Sequence, residues 1–356
     1  MNPIIQEDIN NILSADLPWH LFKNKTVVVS GAAGFLPAYM VECLAELNRR
    51  NGNIRIIGLV RNVEKATARL SHLLQDGVEL FHHDISLPLP SGFPRADYVI
   101  HAASQASPKF YGIDPVGTLK ANSMGTAYLL DYAKDSQADG FLFFSSGDVY
   151  GQPLLPDQLL KETDFGYLDP VEVRSCYAES KRIGETMCAS WAKQYGLRTT
   201  IVRPFHTYGP GMALDDGRVF ADFVADIISN RNIHLKSDGS AIRPFCYLAD
   251  ATLGFFTVML KGQSGGAYNV GNPDAETSIA QLAETLVKLF PAKKLSVVFE
   301  HRDVGSVYMK SPVHRTCPSI AKANYLNWYP TCGIQDGFKR TISSFEVQVT
   351  SEEIEN

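Results

Sequence analysis

Tyr177-Ala178-Glu179-Ser180-Lys181 sets a phenol and an ammonium four positions apart, which on an α-helix is one face. A lysine beside a tyrosine favours the phenolate and lowers its pKa from about 10 toward working pH, so Tyr177 can take a proton from a sugar hydroxyl or return it to a ketone. Ser146, just past the apolar run Phe141 to Ser145, can hydrogen-bond the same oxygen. Such a trio supports hydride transfer at a carbinol carbon when a redox cofactor supplies the electrons. A Y-x-x-x-K spacing alone matches many chains by chance. A glycine turn upstream and the strand-end Ser145-Ser146 give it weight here.

That turn is Ser30-Gly31-Ala32-Ala33-Gly34-Phe35-Leu36-Pro37. It follows Thr26-Val27-Val28-Val29, apolar without alternation as a strand buried on both faces must be. It precedes Leu36, Tyr39, Met40, Cys43, Leu44 and Leu47 at helical spacing. Gly31 permits the tight turn, and Gly34 lets the backbone approach a pyrophosphate. The helix N-terminus at Phe35 and Leu36 supplies unpaired N–H groups and positive dipole. Pro37 stands where a third glycine would allow close helix-to-strand packing; proline is tolerated in a first helical turn. The second strand ends in Gly58-Leu59-Val60-Arg61-Asn62, with no acid for the ribose hydroxyl of NAD. Arg61 offers a fork suited to the 2'-phosphate of NADP, which makes NADP(H) the first choice and NAD the other. A solvated loop charge is the alternative for Arg61. Asp84 can hydrogen-bond the adenine amine or cap a turn. Ala102, Ala103 and Lys181 complete the expected cofactor contacts.

Short β-branched runs alternate with helical periodicity from Lys25 onward, which argues for a parallel sheet with helices on both faces. Strands are expected at Thr26 to Ser30, Ile54 to Val60, Val78 to Phe81, Tyr98 to His101, Phe141 to Ser145 and Thr199 to Val202. A long helical stretch ends near Lys134, and another runs from about Tyr177 to Tyr195. This is a doubly wound α/β core of Rossmann type. Residues 1–24 form an N-terminal extension, 25–205 the dinucleotide-binding domain with part of 245–270, and 206–350 a smaller substrate lobe interleaved with it. The tail from Ser351 is expected to fray.

Composition narrows the classes further. The chain has 356 residues, 45% of them hydrophobic, and its 33 basic and 38 acidic side chains give a net charge of -5. That balance argues against a nucleic-acid footprint. No apolar run approaches the roughly 20 residues of a membrane span, and the N-terminus lacks the basic and apolar regions of a signal peptide, so a cytoplasmic protein is expected. The six cysteines lack C-x-x-C spacing and read as free buried thiols; no metal site is expected.

A resemblance now stands on residues. The glycine turn, His101-Ala102-Ala103-Ser104, Asn122-Ser123-Met124-Gly125-Thr126, Ser145-Ser146-Gly147-Asp148-Val149-Tyr150-Gly151, Y-x-x-x-K, Arg203-Pro204-Phe205-His206-Thr207-Tyr208-Gly209-Pro210 and Ala267-Tyr268-Asn269-Val270-Gly271 follow in order. The chain resembles the extended short-chain dehydrogenase/reductases that modify nucleotide-diphosphate sugars, from Lys25 to about Phe345. Ala106-Ser107-Pro108, Arg174-Ser175-Cys176-Tyr177, Gly184-Glu185-Thr186-Met187-Cys188 and Asp216-Gly217-Arg218-Val219 are most similar in wording to UDP-glucuronate decarboxylases. The resemblance implies a nucleotide-diphosphate sugar as substrate, with Arg218 and Arg243 near its diphosphate, His206 in the nucleotide segment, and Asn122 supporting the active-site water or the sugar. A homodimer is expected.

The pattern breaks where the family chooses its reaction. Before Val149-Tyr150-Gly151, dehydratases resemble one another in carrying Asp-Glu and decarboxylases Ser-Glu, whereas this chain has Gly147-Asp148. Asp148 is one methylene shorter than that glutamate. His206 replaces the usual asparagine. A 4-epimerase or 4-ketoreductase is the first expectation, with Asp148 orienting the loop. A decarboxylase-like or 4,6-dehydratase-like lyase using Asp148 is the alternative, and a pseudoenzyme that binds nucleotide without turnover is the second. A carbonyl reductase for small molecules fits the long C-terminal part less well.

Overall fold

The computed structural model describes residues 2–107, 111–155, 157–299 and 313–354, with side chains as far as residue 346. Seven parallel strands form the central sheet: β1 (Thr26–Ser30), β2 (Arg55–Val60), β3 (Val78–His82), β4 (Tyr98–His101), β5 (Gly140–Phe144), β6 (Thr199–Pro204) and β7 (Gly266–Val270). Their spatial order is β7-β6-β5-β4-β1-β2-β3. Chain order reverses between β1 and β4, and the crevice beyond the strand ends there is where an open α/β sheet takes its ligand. Six strands match the sequence expectation within two residues at either end. The seventh, for which no strand was expected, pairs β6 from Gly266↔Thr200 to Val270↔Pro204.

The helices are α1 (Pro3–Ser14), α2 (Phe35–Arg49), α3 (Val63–Leu70), α4 (Pro115–Asn122), α5 (Met124–Ser136), α6 (Cys176–Tyr195), α7 (Val219–Ile228), α8 (Leu248–Lys261), α9 (Ile279–Leu289), α10 (Ala321–Asn324) and α11 (Ile334–Ile354). Val27 and Val29 face one core with α1, α2 and α8. Val28 turns to the other face, against Leu129 and Leu130 of α5 and Cys188 of α6. A third core, built on Phe220, Phe223, Phe245 and Phe338, lies under the C-terminal elements, where Tyr208 stacks on Phe338 at 3.8 Å.

Several expectations need correction. The long helical stretch before Lys134 is two helices that break at Ser123, whose hydroxyl turns back onto the Leu119 carbonyl. The last helix continues to Ile354 where fraying was expected from Ser351; Glu355, Asn356 and Pro108 lie outside the described residues. The N-terminal extension contains α1, which Asn2 caps and Asp8 fastens. Buried Asp8 accepts hydrogen bonds from Tyr39 (3.1 Å), Tyr247 (2.6 Å) and Arg340 (2.6 Å). All six cysteines are free; five are buried and Cys332 is partly exposed.

Two glycines set distances that matter for the cleft. Gly31 has φ +68°, and a Cβ there would lie 2.8 Å from the Ala103 Cα. On α6, a Cβ at Gly184 would lie 2.4 Å from the Phe143 ring, so only glycine lets this helix approach β5 so closely. That approach carries Tyr177 and Lys181 to the strand ends.

Candidate active site

The cofactor turn begins at Gly31, whose N–H donates to the Leu59 carbonyl, and closes with Gly34 N–H on the Gly31 carbonyl. Gly34 is the N-cap of α2 and offers no side chain to the helix end. Among the described residues the N–H groups of Phe35 and Leu36 have no protein acceptor. Pro37 removes the next such donor, so the two remaining free N–H groups mark a cradle that fits a pyrophosphate. Arg61 is exposed at the tip of β2. Asp84 caps its own turn, accepting from Ser86 N–H at 2.9 Å; that bond holds its carboxyl below the usual range, and Arg61 adds to the effect.

A buried chain of hydrogen bonds leads from this turn to α6. Ser30 Oγ accepts from Ala102 N–H (3.2 Å) and Ala103 N–H (3.1 Å) and meets His101 Nδ1 at 2.8 Å. His101 Nε2 meets Thr126 Oγ1 at 3.0 Å, and Thr126 donates to the Asn122 carbonyl. Asn122 Nδ2 donates to Ser180 Oγ (3.0 Å), which donates to the Tyr177 carbonyl (2.9 Å). Asn122 is buried beneath α6 and supports the turn that bears Tyr177, and its Oδ1 has no partner among the described residues.

Ser146 lies just past β5 and caps Asp148 N–H at 3.1 Å. Its hydroxyl is also near enough to the Tyr177 phenol to pull that group's pKa downward. The expected lowering of the phenol does not appear. Burial, with the Asp148 carboxylate adding to it, pushes Tyr177 up to about 12, against the opposing pull of Ser146 and Arg218. Lys181 is 2% exposed, donates to the Phe144 carbonyl at 2.6 Å and lies 5.8 Å from the Tyr177 ring centroid. Burial brings its ammonium down to about 7, so near neutrality the lysine holds only part of the charge the phenolate would need.

Asp148 is an exposed residue; crowding by the surrounding protein raises its carboxyl while Arg174, Arg218 and Arg243 oppose the rise. Arg218 pairs with Asp216 at 3.2 Å and reaches the Ala106 carbonyl at 3.4 Å. Arg243 is held by the carbonyls of Ile242, Val313 and His314. Among the described residues His206 Nδ1 is buried without a partner, and burial, with Arg243 and Arg218 nearby, keeps the ring neutral. Arg174 joins this group unforeseen, although its place three residues before Tyr177 in a helical register was a usable signal.

Sequence reasoning also missed what joins the motifs. Arg203 forms a buried pair with Glu185 (2.6 Å) and donates to Tyr150 Oη (2.8 Å), which donates to Asn269 Oδ1 (2.6 Å). Ser145 donates to Glu185 as well. One network thus ties the ends of β5, β6 and β7 to α6.

Residues 27–271 match the NAD dependent epimerase/dehydratase family, and the chain belongs to that family of enzymes. It is 33% identical to UDP-glucuronic acid decarboxylase 3 of Arabidopsis thaliana over 328 residues, 92% of this chain and 90% of that one. The UDP-glucose 4-epimerase of Thermotoga maritima, solved with UDP-glucose, superposes with a TM-score of 0.76 at 23% identity, covering 91% of this chain and 99% of that one. A UDP-glucuronic acid 4-epimerase mutant from Bacillus cereus, solved with a fluorinated UDP-glucuronic acid and NAD, gives 0.77 at 22% identity over the same shares.

Lys181 makes stability depend on pH. Its folded value near 7 lies below the ordinary 10.5, so between those values the unfolded chain binds more protons and stability rises with pH. Chemical denaturation of the cofactor-free protein is expected to show the parent gaining stability relative to Lys181→Met between pH 7.5 and pH 9.5; the buried thiols, raised by burial, act in the opposite direction in both proteins and cancel in the difference. An equal slope in the variant would assign the pH dependence elsewhere.

Proposed function

We propose that this chain transfers a hydride at C4 of a nucleotide-diphosphate sugar, the step that epimerase, ketoreductase and lyase routes share. The convergence of Tyr177, Ser146 and Lys181 beside the Gly31–Leu36 cradle carries the reading. Tyr177 takes the proton of the C4 hydroxyl, Ser146 hydrogen-bonds the same oxygen, and Lys181 stabilises the resulting phenolate. The nicotinamide cofactor, when bound, accepts and returns the hydride. Arg218 and Arg243 face the diphosphate, and His206 presents its free Nδ1 to the nucleotide. In this reading the cofactor half and the substrate lobe interleave, because β7 returns to the first sheet from beyond the lobe's start.

Two fates of the 4-ketone are compatible with these groups. Return of hydride to the other face gives a 4-epimerase, and a single reduction of a 4-keto sugar gives a ketoreductase. Asp148 favours a second reading. Its raised carboxyl among three arginines suits a C6 carboxylate: the C5–C6 bond breaks, carbon dioxide leaves, its electrons pass to C5 and the ketone, and Asp148 returns a proton to C5 before hydride goes back to C4. The likeness to the decarboxylases supports that route.

We keep a cytoplasmic location as part of this reading; among the described residues no helix is long and apolar enough to cross a membrane. Recovery of the protein in a membrane pellet would overturn that placement. α4 and α6 leave Val116, Leu119 and Ile183 exposed, and we read this face as the seat of a second copy. Sedimentation at twice the chain mass is expected; a monomer throughout would overturn it.

The chemistry is tested by incubating the protein with UDP-glucuronate, UDP-glucose and NAD+ or NADP+, and identifying products by mass spectrometry. Under C4 redox chemistry alone, Asp148→Asn slows turnover modestly and traps nothing. Under the lyase reading the same variant accumulates reduced nicotinamide and a 4-keto sugar. No product and no cofactor reduction with any sugar would leave a nucleotide-binding pseudoenzyme.

Arg61 directs the cofactor choice to NADP(H) in this reading. Arg61→Ala is expected to weaken NADP(H) by about 1.5 to 3 kcal/mol, the worth of a hydrogen bond to a charged group, and to leave NAD(H) unchanged. Titration calorimetry showing equal loss for both would make Arg61 a structural residue.

A further inference from the structure

We infer that Tyr111 is a positioning residue for Tyr177: its ring, stacked on the Tyr177 ring and anchored through its hydroxyl to the Ala106 carbonyl, fixes the plane in which the proton-transferring phenol is presented. The inference rests on the reading that Tyr177 carries the C4 proton.

The two ring centroids lie 5.0 Å apart with an interplanar angle of 16°. Tyr111 is 3% exposed and Tyr177 6%, and with Cys176 they form a small apolar cluster against which Ala106 packs. Tyr111 Oη donates to the Ala106 carbonyl at 3.0 Å, and Arg218 reaches that same oxygen. α6 and Ser180 fix the backbone of Tyr177. Rotation of the ring about its last side-chain bond is soft, however, so the backbone does not set the ring plane. Ser146 acts only at the hydroxyl, and the Lys181 ammonium at 5.8 Å is too small and distant to flatten a ring. Tyr111 is the flat surface that can. A misplacement of about 1 Å at a reacting atom can cost roughly a hundredfold in rate, so a residue that touches no reacting atom can still govern turnover.

Several charged and titratable groups bear on the pair. Asp148 and Arg218 face both phenols, Arg174 faces Tyr111, and Lys181 faces Tyr177 from its own helix. Removing the Tyr111 ring admits water to the Tyr177 phenol and relieves part of the burial that holds its proton on. The rising limb of hydride transfer against pH then moves to lower pH while the plateau falls.

Tyr111→Leu, Tyr111→Phe and Tyr177→Phe are compared in the full chain with whichever of UDP-glucuronate and UDP-glucose is turned over. The readouts are single-turnover absorbance of reduced nicotinamide across pH, KM, and thermal melting. Tyr111→Leu is expected to lower the hydride step about tenfold, keep KM within about twofold and move the limb to lower pH. Tyr111→Phe keeps the stack and stays within about threefold of the parent, while Tyr177→Phe falls about a hundredfold or more. An unchanged rate and limb in Tyr111→Leu, with Tyr177→Phe inactive, overturns the positioning role alone. Equal losses in the leucine and phenylalanine variants with lowered melting temperatures make Tyr111 merely structural. Full turnover in Tyr177→Phe overturns the reading beneath it. Should leucine prevent folding, Tyr111→Met gives the same comparison with a side chain that adapts to the space.

Discussion

Ser30 has one hydroxyl proton, and two backbone N–H groups already point at its oxygen. The proton must therefore go to His101 Nδ1, which makes that nitrogen an acceptor and places the ring hydrogen on Nε2. Nε2 donates to Thr126, whose own proton goes to the Asn122 carbonyl. Protonating His101 would set a second hydrogen against a filled acceptor, in keeping with a pKa that burial, helped by the nearby Lys181 charge, drives down to about 3. Each donor in this buried chain thus has one direction. The loop beyond β4, the close approach of Gly31 to Ala103 and the support under Tyr177 all hang on it. Its donors are all placed, and Asn122 Oδ1 is an acceptor of the chain left without a partner among the described residues.

The second network explains why Lys181 stands unpaired. Glu185 is four residues further along α6, the spacing at which a lysine and a glutamate ordinarily meet. Arg203 engages that carboxylate from two nitrogens, and Ser145 bonds to it as well. Lys181 is left with a carbonyl and two aromatic rings. A buried carboxylate satisfied by arginine and a buried lysine denied one are two sides of a single arrangement. The first gives rigidity, and the second leaves an ammonium that titrates near neutrality.

Much of this was legible in the sequence because the signals were local. β1 shows itself as an unbroken β-branched run, the cradle as a glycine turn between strand and helix, and Tyr177 with Lys181 as a helical spacing. β7 is legible as the motif Ala267-Tyr268-Asn269-Val270-Gly271 but not as a strand, because Gly266 to Val270 is short and opens on two small residues, and its pairing with β6 identifies it. Asn122 was legible only in part, for a related reason. Its motif is readable, but its burial depends on α6, which arrives more than fifty residues later. The phenol's displacement ran opposite to expectation because spacing reveals the lysine and conceals the burial. Tyr111 carries no periodic signal, since a stack is a property of two surfaces and not of either segment.

The Asp8 cluster at the start of the chain has a consequence for how the molecule is made. Asp8 shares its carboxylate with Tyr39, early in the sequence, but also with Tyr247 and with Arg340, which lies 332 residues downstream. At about 5 to 20 residues per second, a ribosome adds that arginine roughly 17 to 66 s after the aspartate. Through that interval α1 can dock on α2 but cannot find its cation, and burying an unpaired carboxylate is unfavourable. α1, with Ile9, Ile12 and Leu13 on its buried side, is therefore secured only after Arg340 has been added, long after its own residues are made.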